Sequence, residues 1–273
     1  GVCSSRNYGV SYAQGKYIAF IDNDDIYDSH FLEILVSQIE NDKSDIVKCG
    51  RRNILVLQDL RETKSKDFGF PKSRRYKYEE LIKDYFSIKM SGCFSAVWNG
   101  LYRAEFLNLN NIYFNEKVIH GNEDLIFNYQ ILKQKPSISV VDKILYIHYY
   151  RISHSTSTKF YPDQVSTRVD AIKLEKEIIS EIVSETDKNI IEFEEFRECI
   201  RIVSNCNDKM ERKEYIFFIE EQLGRRVFHY ANTCKKLNIY QKYDWILFKN
   251  RWYDLYFLSK KVQRFLEIKK FLR

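Results

Sequence analysis

Two aspartates separated by one residue, Asp22-Asn23-Asp24, directly follow the apolar run from Tyr17 to Ile21. Such a run reads as a buried strand whose carboxyl end opens onto a polar loop. Carboxylates at i and i+2 on that loop can both reach one hard divalent cation and the phosphates it neutralises. Three other readings compete. An EF-hand would use Asp22, Asp24 and Glu33, but Ile26 and Tyr27 occupy positions that need a ligand and a glycine, and a strand rather than a helix comes first. A phosphohydrolase would use Asp22 as nucleophile and Asp24 as acid–base, but Ile26 stands where a hydroxyl residue is expected and no second carboxylate pair follows. The acidic run from Asp22 to Asp28 would, on the plainest reading, only cap a loop and a helix. The pair alone does not separate these readings.

The elements around the pair alternate between strand and helix. Asp28 offers an N-cap for a helix over Ser29–Glu40, with Phe31, Leu32, Leu35 and Ile39 at helical spacing. Asp45–Cys49 reads as the next strand, and Ile54–Leu57 continues it after a turn. Residues 59–80 are charged and aperiodic, which predicts a mobile excursion. Tyr78–Tyr85 predicts a helix, and Phe94–Phe106 a helical or mixed stretch. Gly121-Asn122-Glu123-Asp124 precedes an amphipathic helix over Leu125–Lys133, ended by Pro136. Ile138–Val141 and Ile144–Tyr150 read as β segments. Helix formers then dominate Val165–Glu185, Ile190–Val203 and Tyr215–Lys236. The pattern predicts an α/β domain over residues 1–158 and a helical extension over 159–273.

A chain of 273 residues is long enough for that arrangement, and no apolar run is long enough to span a bilayer. The six cysteines are scattered without a CxxC pair, which disfavours a zinc site or disulfide framework and suggests reduced cytoplasmic thiols. The net charge of +6 is local: Gln241–Arg273 holds nine Lys or Arg against three Asp or Glu, so the rest of the chain is neutral overall. Large apolar residues lie among those charges. Leu255, Leu258, Val262, Phe265 and Leu272 share roughly one helical face, interrupted by Lys269. That composition points to docking on anionic membrane and not to nucleic acid.

Four blocks in order give the chain a resemblance. Ser5-Arg6-Asn7-Tyr8-Gly9, Ala13-Gln14-Gly15-Lys16-Tyr17-Ile18 and Phe20-Ile21-Asp22-Asn23-Asp24-Asp25 resemble the "ARN.G...A.GKYI.FLDSDD" block of the family 2 glycosyltransferases. Trp98-Asn99-Gly100-Leu101-Tyr102-Arg103 resembles that family's "WNKLYR", and Gly121–Phe127 its "GEDLLF". Leu145-Tyr146, Arg151 and Ser155 resemble its "LYYYR...S.S". Gly100 departs from the family's lysine. The family's opening "VSIIIPVYN" strand and "DDGSTD" loop have no counterpart, so the expectation is a domain lacking its first strands and inactive by itself.

The resemblance implies a GT-A fold: a Rossmann-like mixed sheet flanked by helices, here incomplete at its N-terminus and followed by the helical extension. It implies a metal-dependent, inverting transfer of a hexose or N-acetylhexosamine from a nucleoside diphosphate, UDP first among candidates, to a glycan or lipid-linked acceptor in surface-polysaccharide synthesis. The setting is cytoplasmic, on the inner face of the plasma membrane where the chain docks there. Arg6, Asp22, Asn23, Trp98 and Glu123 are expected to bind the donor. Asp22 and Asp24 would hold Mn²⁺ or Mg²⁺, whose ligands are hard oxygens, with His148 or His154 completing the shell. Asp124 is expected to be the general base that takes the acceptor proton. Helical phase favours it over Glu123, which points away from the face of Leu125, Tyr129 and Leu132. The alternatives are the phosphohydrolase, or a catalytically dead fragment that only binds metal or membrane.

Overall fold

The computed structural model describes residues 1–56, 62–151, 159–179, 183–229 and 235–271. They fall into two compact units, residues 1–159 with 166–183, and residues 160–165 with 184–273.

The first unit is built on one mixed sheet. Its strands are β1 (Tyr17–Ala19), β2 (Ile26–Tyr27), β3 (Ile46–Val56), β4 (Glu62–Phe68), β5 (Arg74–Tyr76), β6 (Gly100–Arg103) and β7 (Ile138–Arg151). The order β1-β6-β3-β7-β2 puts β3 and β7 at the centre as a parallel pair, with β4 also on β3 and β5 also on β7. Both central strands are long, and each exchanges neighbours along its length. β6 pairs with Ile46–Lys48 and β4 with Arg51–Val56. The parallel register shifts between Lys48 and Arg51, where a side chain on Gly50 would collide with Phe68 O at 2.8 Å. At such a crossing only glycine lets the backbones meet.

This sheet differs from the sequence expectation in three ways. β3 runs unbroken from Ile46 to Val56, with no intervening turn, and β7 likewise joins two expected segments. The stretch read as an excursion contains β4 and β5; its residues 59–61, like Leu57, lie outside the described residues. β4 (ETKSKDF) lacks apolar alternation because its side chains are mostly exposed, and its backbone ladder to β3 holds it. Arg52 grips Asp67 across that ladder with two hydrogen bonds, at 2.7 and 2.9 Å.

Helices cover the sheet: α1 (Val2–Tyr12), α2 (Phe31–Asp42), the short α3 (Tyr78–Lys83) and α4 (Tyr85–Met90), α5 (Ala104–Leu109) and α6 (Glu123–Lys133). α2 begins at Phe31, not Ser29. Its N-cap position is His30, whose N–H donates to Asp28 Oδ1, so Asp28 closes the preceding turn instead of capping the helix. Phe31, Leu35 and Ile39 bury against Val47, Leu101, Val141 and Leu145, as their spacing predicts, whereas Leu32, expected on the same face, is exposed. α7 (Asp163–Ile179) follows the sheet.

The second unit is helical: α8 (Glu185–Val203), α9 (Lys209–Leu223), a 3₁₀ turn (Arg226–His229), α10 (Ile239–Lys249) and α11 (Tyr253–Phe271). The expected helix over Tyr215–Lys236 stops at Leu223, because Gly224 takes a left-handed conformation at φ 71°. Phe193, Phe196, Phe228, Phe248 and Tyr256 form its aromatic core. On α10 and α11 the outward faces are also apolar. Ile239, Tyr243 and Ile246 are exposed opposite buried Phe248, and Leu255, Leu258 and Val262 opposite buried Tyr253, Tyr256 and Phe257. The side chains of Phe265 and Leu272 lie outside the described residues. No described helix is long and apolar enough to cross a membrane.

Candidate active site

Asp22, Asn23 and Asp24 form the turn after β1, closed by the Asp25 N–H donating to Asp22 O at 3.1 Å. The strand ends at Ala19, so Phe20 and Ile21 carry the chain to the turn. The turn is anchored by the aspartate after the motif. Asp25 accepts from Tyr146 Oη at 2.8 Å and from the Tyr149 N–H at 2.9 Å, both on β7. Burial pushes the Asp25 carboxyl upward, against those two donors. Held this way, Asp22 and Asp24 face outward, and their side chains are 36% and 55% exposed. Asn23 is exposed at the apex.

Arg6 reaches this turn from α1, a helix with no strong apolar face. Polar side chains dock it: Asn7 both donates to and accepts from the Phe114 backbone, and Ser4 donates to Glu116. Beside them the Arg6 guanidinium lies over the Phe114 ring at 5.1 Å. It donates to Asp22 Oδ1 at 2.9 Å and to Asp124 Oδ1 at 2.5 Å, and stands 3.6 Å from Glu123. One buried cation therefore joins the strand-end turn to the start of α6.

α6 brings its two acids to that cation through a sharp entry. Gly121 and Asn122 take consecutive left-handed conformations, at φ 73° and 68°. Glycine and asparagine are the residues that tolerate them most readily. Glu123 and Asp124 then fill the first turn, where the helix dipole favours carboxylates. Asp124 Oδ2 also accepts from the Val97 N–H at 3.2 Å. Helical phase predicts Glu123 to point away from the apolar face of Leu125, Tyr129 and Leu132. Its side chain is instead 17% exposed against 19% for Asp124, because α6 is packed around most of its circumference. Burial pushes both carboxyls upward, and Arg6 pulls both down.

The other expected site residues lie differently. Trp98 is 5% exposed and stacks on Tyr146 at 4.1 Å, within the core cluster. That packing leaves little of the indole open to a sugar. His148 lies parallel to Trp98 at 5.5 Å, with its Nδ1 buried and unpartnered among the described residues. Desolvation holds the ring toward its neutral form. No cluster of three His, Cys, Asp or Glu arranged for a metal occurs among the described residues. His154 and Ser155 lie outside the described residues.

Sequence reasoning gave no role to Arg151. At the end of β7 it donates to Asp24 Oδ2 at 2.6 Å and to Asp24 O at 3.2 Å. A basic residue closing a long strand was the available signal. The turn is thus flanked by Arg6 and Arg151, each bound to one motif carboxylate. Arginine forks of this kind also suit phosphate oxygens.

The Gly100 departure also has a structural reason. It pairs with Lys48 across β6 and β3, and a Cβ there would fall 2.6 Å from Val47 O and 2.9 Å from Lys48 Cδ.

The sequence model of the family described as "Glycosyl transferase family 2" matches residues 1–101, which carry Arg6 and the acidic turn. The cholesterol galactosyltransferase of Borreliella burgdorferi is 26% identical over 225 residues, covering 79% of this chain and 62% of that protein. An uncharacterized glycosyltransferase of Bacillus subtilis, EpsJ, is 27% identical over 169 residues, covering 59% and 46%. This chain thus spans about half to three-fifths of the length of these relatives. In three dimensions it resembles the crystal structure of S. aureus TarS, with a TM-score of 0.53 at 19% identity, over 84% of this chain and 38% of that one. The fold likeness and the sequence match agree: residues 1–101 resemble glycosyl transferase family 2, and the fold resembles that of TarS.

Proposed function

We propose that this chain carries the donor-binding and catalytic centre of an inverting glycosyltransferase of surface-polysaccharide synthesis. Its donor would be a nucleoside-diphosphate sugar, with UDP the favoured nucleotide. The observation that carries this reading is the joining of Asp22 and Asp124 through Arg6, with Asp24 on the same turn. A phosphohydrolase would need a nucleophile and an acid–base in the turn alone. There Asp22 and Asp24 are each tied to an arginine, Arg6 and Arg151, which leaves neither free as nucleophile or acid–base.

Asp22 and Asp24 suit Mn²⁺ or Mg²⁺, which bind through one or two carboxylates and complete their shells with phosphate oxygens and water. When bound, that ion would neutralise charge on the departing nucleoside diphosphate. Arg6 and Arg151, which hold the two carboxylates, stand where they can turn to diphosphate oxygens. Asp124 would take the proton from the acceptor hydroxyl as it attacks the anomeric carbon. Its buried setting raises proton affinity toward the range a base needs, and Arg6 keeps the ionised form populated. Glu123, beside it, would face the donor sugar.

The acceptor would be a glycan or lipid-linked sugar at an anionic membrane, where the outward apolar faces of α10 and α11 would dock. Lys242 and Lys249 flank the apolar face of α10, and Asp244, its only acid, is buried. Basic flanks beside a lipid-facing apolar stripe are the pattern of interfacial helices.

The test is Asp124→Asn in the full-length protein, which keeps the shape but cannot accept the proton. Turnover of the nucleotide sugar should fall roughly 10²–10⁴-fold while nucleotide affinity stays near wild type. A near-wild-type rate in that variant, with Glu123→Gln inactive, would move the base to Glu123.

A further inference from the structure

Lys48 is 1% exposed, on β3 directly opposite Gly100. Its ammonium donates to Ala96 O at 2.5 Å, Tyr102 Oη at 2.6 Å and Asn128 Oδ1 at 3.4 Å. Three acceptors match three protons, and none of them is charged. An unpaired buried cation is costly, and an apolar side chain would fill the same space without that cost. Burial accordingly draws its pKa down to about 7, and the acid whose charge opposes that fall is Asp124. The Cys49 and Cys93 thiols and the Tyr102 and Phe94 rings are the other groups near the amine.

Every polar bond around Lys48 converges on the Ala96–Val97 segment. Ala96 O accepts from Lys48 and, at 3.2 Å, from Asn128 Nδ2. Val97 O accepts from Tyr102 Oη at 3.0 Å, the same hydroxyl that accepts from Lys48. The Val97 N–H is then the donor that meets Asp124 Oδ2. Asn128 lies one helical turn beyond Asp124, so α6 touches this segment twice. Gly100, lacking a Cβ, leaves room for the lysine stem.

We propose that Lys48 is a positioning residue for Asp124, clamping the Ala96–Val97 segment so that the Val97 N–H stays aimed at the carboxylate. Arg6 holds one carboxylate oxygen from α1, and the clamped amide holds the other. The inference rests on the reading of Asp124 as the base.

The test uses the full-length enzyme with Lys48→Met, Tyr102→Phe and Asp124→Asn. The Val97 amide is followed by nuclear magnetic resonance, and nucleotide-sugar turnover is measured alongside. Tyr102→Phe removes one hydroxyl of the clamp and serves if Lys48→Met fails to fold. Either variant should shift the Val97 amide proton in the direction that Asp124→Asn shifts it. Either should lower kcat roughly 10–10²-fold with KM for the donor within about threefold, as expected for a displaced catalytic group. A wild-type Val97 signal and kcat in the folded clamp variants, with Asp124→Asn inactive, would overturn the clamp and leave the base in place. An active Asp124→Asn would instead overturn the base, and the inference with it.

Discussion

Asp124 and Asp24 meet the same kind of partner for different reasons. Asp24 is exposed and held by one arginine at the rim, so its ion pair is a weak restraint that a ligand can displace. Asp124 is held on both oxygens, one by Arg6 and one by a backbone amide, and its geometry is set before any ligand arrives. Preorganisation of that kind is what a proton-accepting group needs. The buried Lys48 leaves its own signature on stability. Its proton is bound up to about pH 7 in the folded protein, against its ordinary value of 10.5 in the unfolded chain. Between those values the unfolded state holds more protons, so this residue makes stability rise with pH. Urea unfolding at pH 7 and near pH 10 should show wild type gaining on Lys48→Met as pH rises. A constant difference between the two would count against a depressed lysine.

At the scale of elements, closeness of backbone decides most of the site. Gly100→Ala places a methyl group 2.6 Å from a main-chain oxygen that cannot move without breaking the β3–β6 ladder. The variant should lose about 1–3 kcal/mol of stability, read from its urea midpoint, as overpacked cores do. An unchanged midpoint would mean that the strands can part. This was not legible in the sequence, where Gly100 stood only as a departure from the family's lysine. What was legible followed from periodicity: the face of α2, the strand before Asp22, and the helix carrying Asp124. β4 was hidden because exposed strands need no apolar alternation when a neighbour supplies their hydrogen bonds. α1 was hidden because polar side chains dock it. The burial of Trp98 depends on long-range stacking against Tyr146 and His148, which no local pattern encodes.

At the scale of the whole molecule, the two units carry different chemistry. The acidic turn and its arginines belong to the first, and the outward apolar helix faces to the second. Each basic residue near anionic lipid contributes about 1 kcal/mol, so docking through α10 and α11 should weaken steeply with salt. Replacing Ile239, Ile246, Leu255 and Leu258 by serine should abolish flotation with phosphatidylglycerol vesicles, while the folded core stays intact. Equal flotation of both forms would rule out docking through these faces. Calorimetry of UDP on the full-length protein would show whether Asp22 and Asp24 bind a nucleoside diphosphate through a divalent ion. Affinity should rise with Mn²⁺ in wild type and lose that dependence in Asp24→Ala. Equal UDP affinity with and without Mn²⁺ in wild type would contradict binding through the ion.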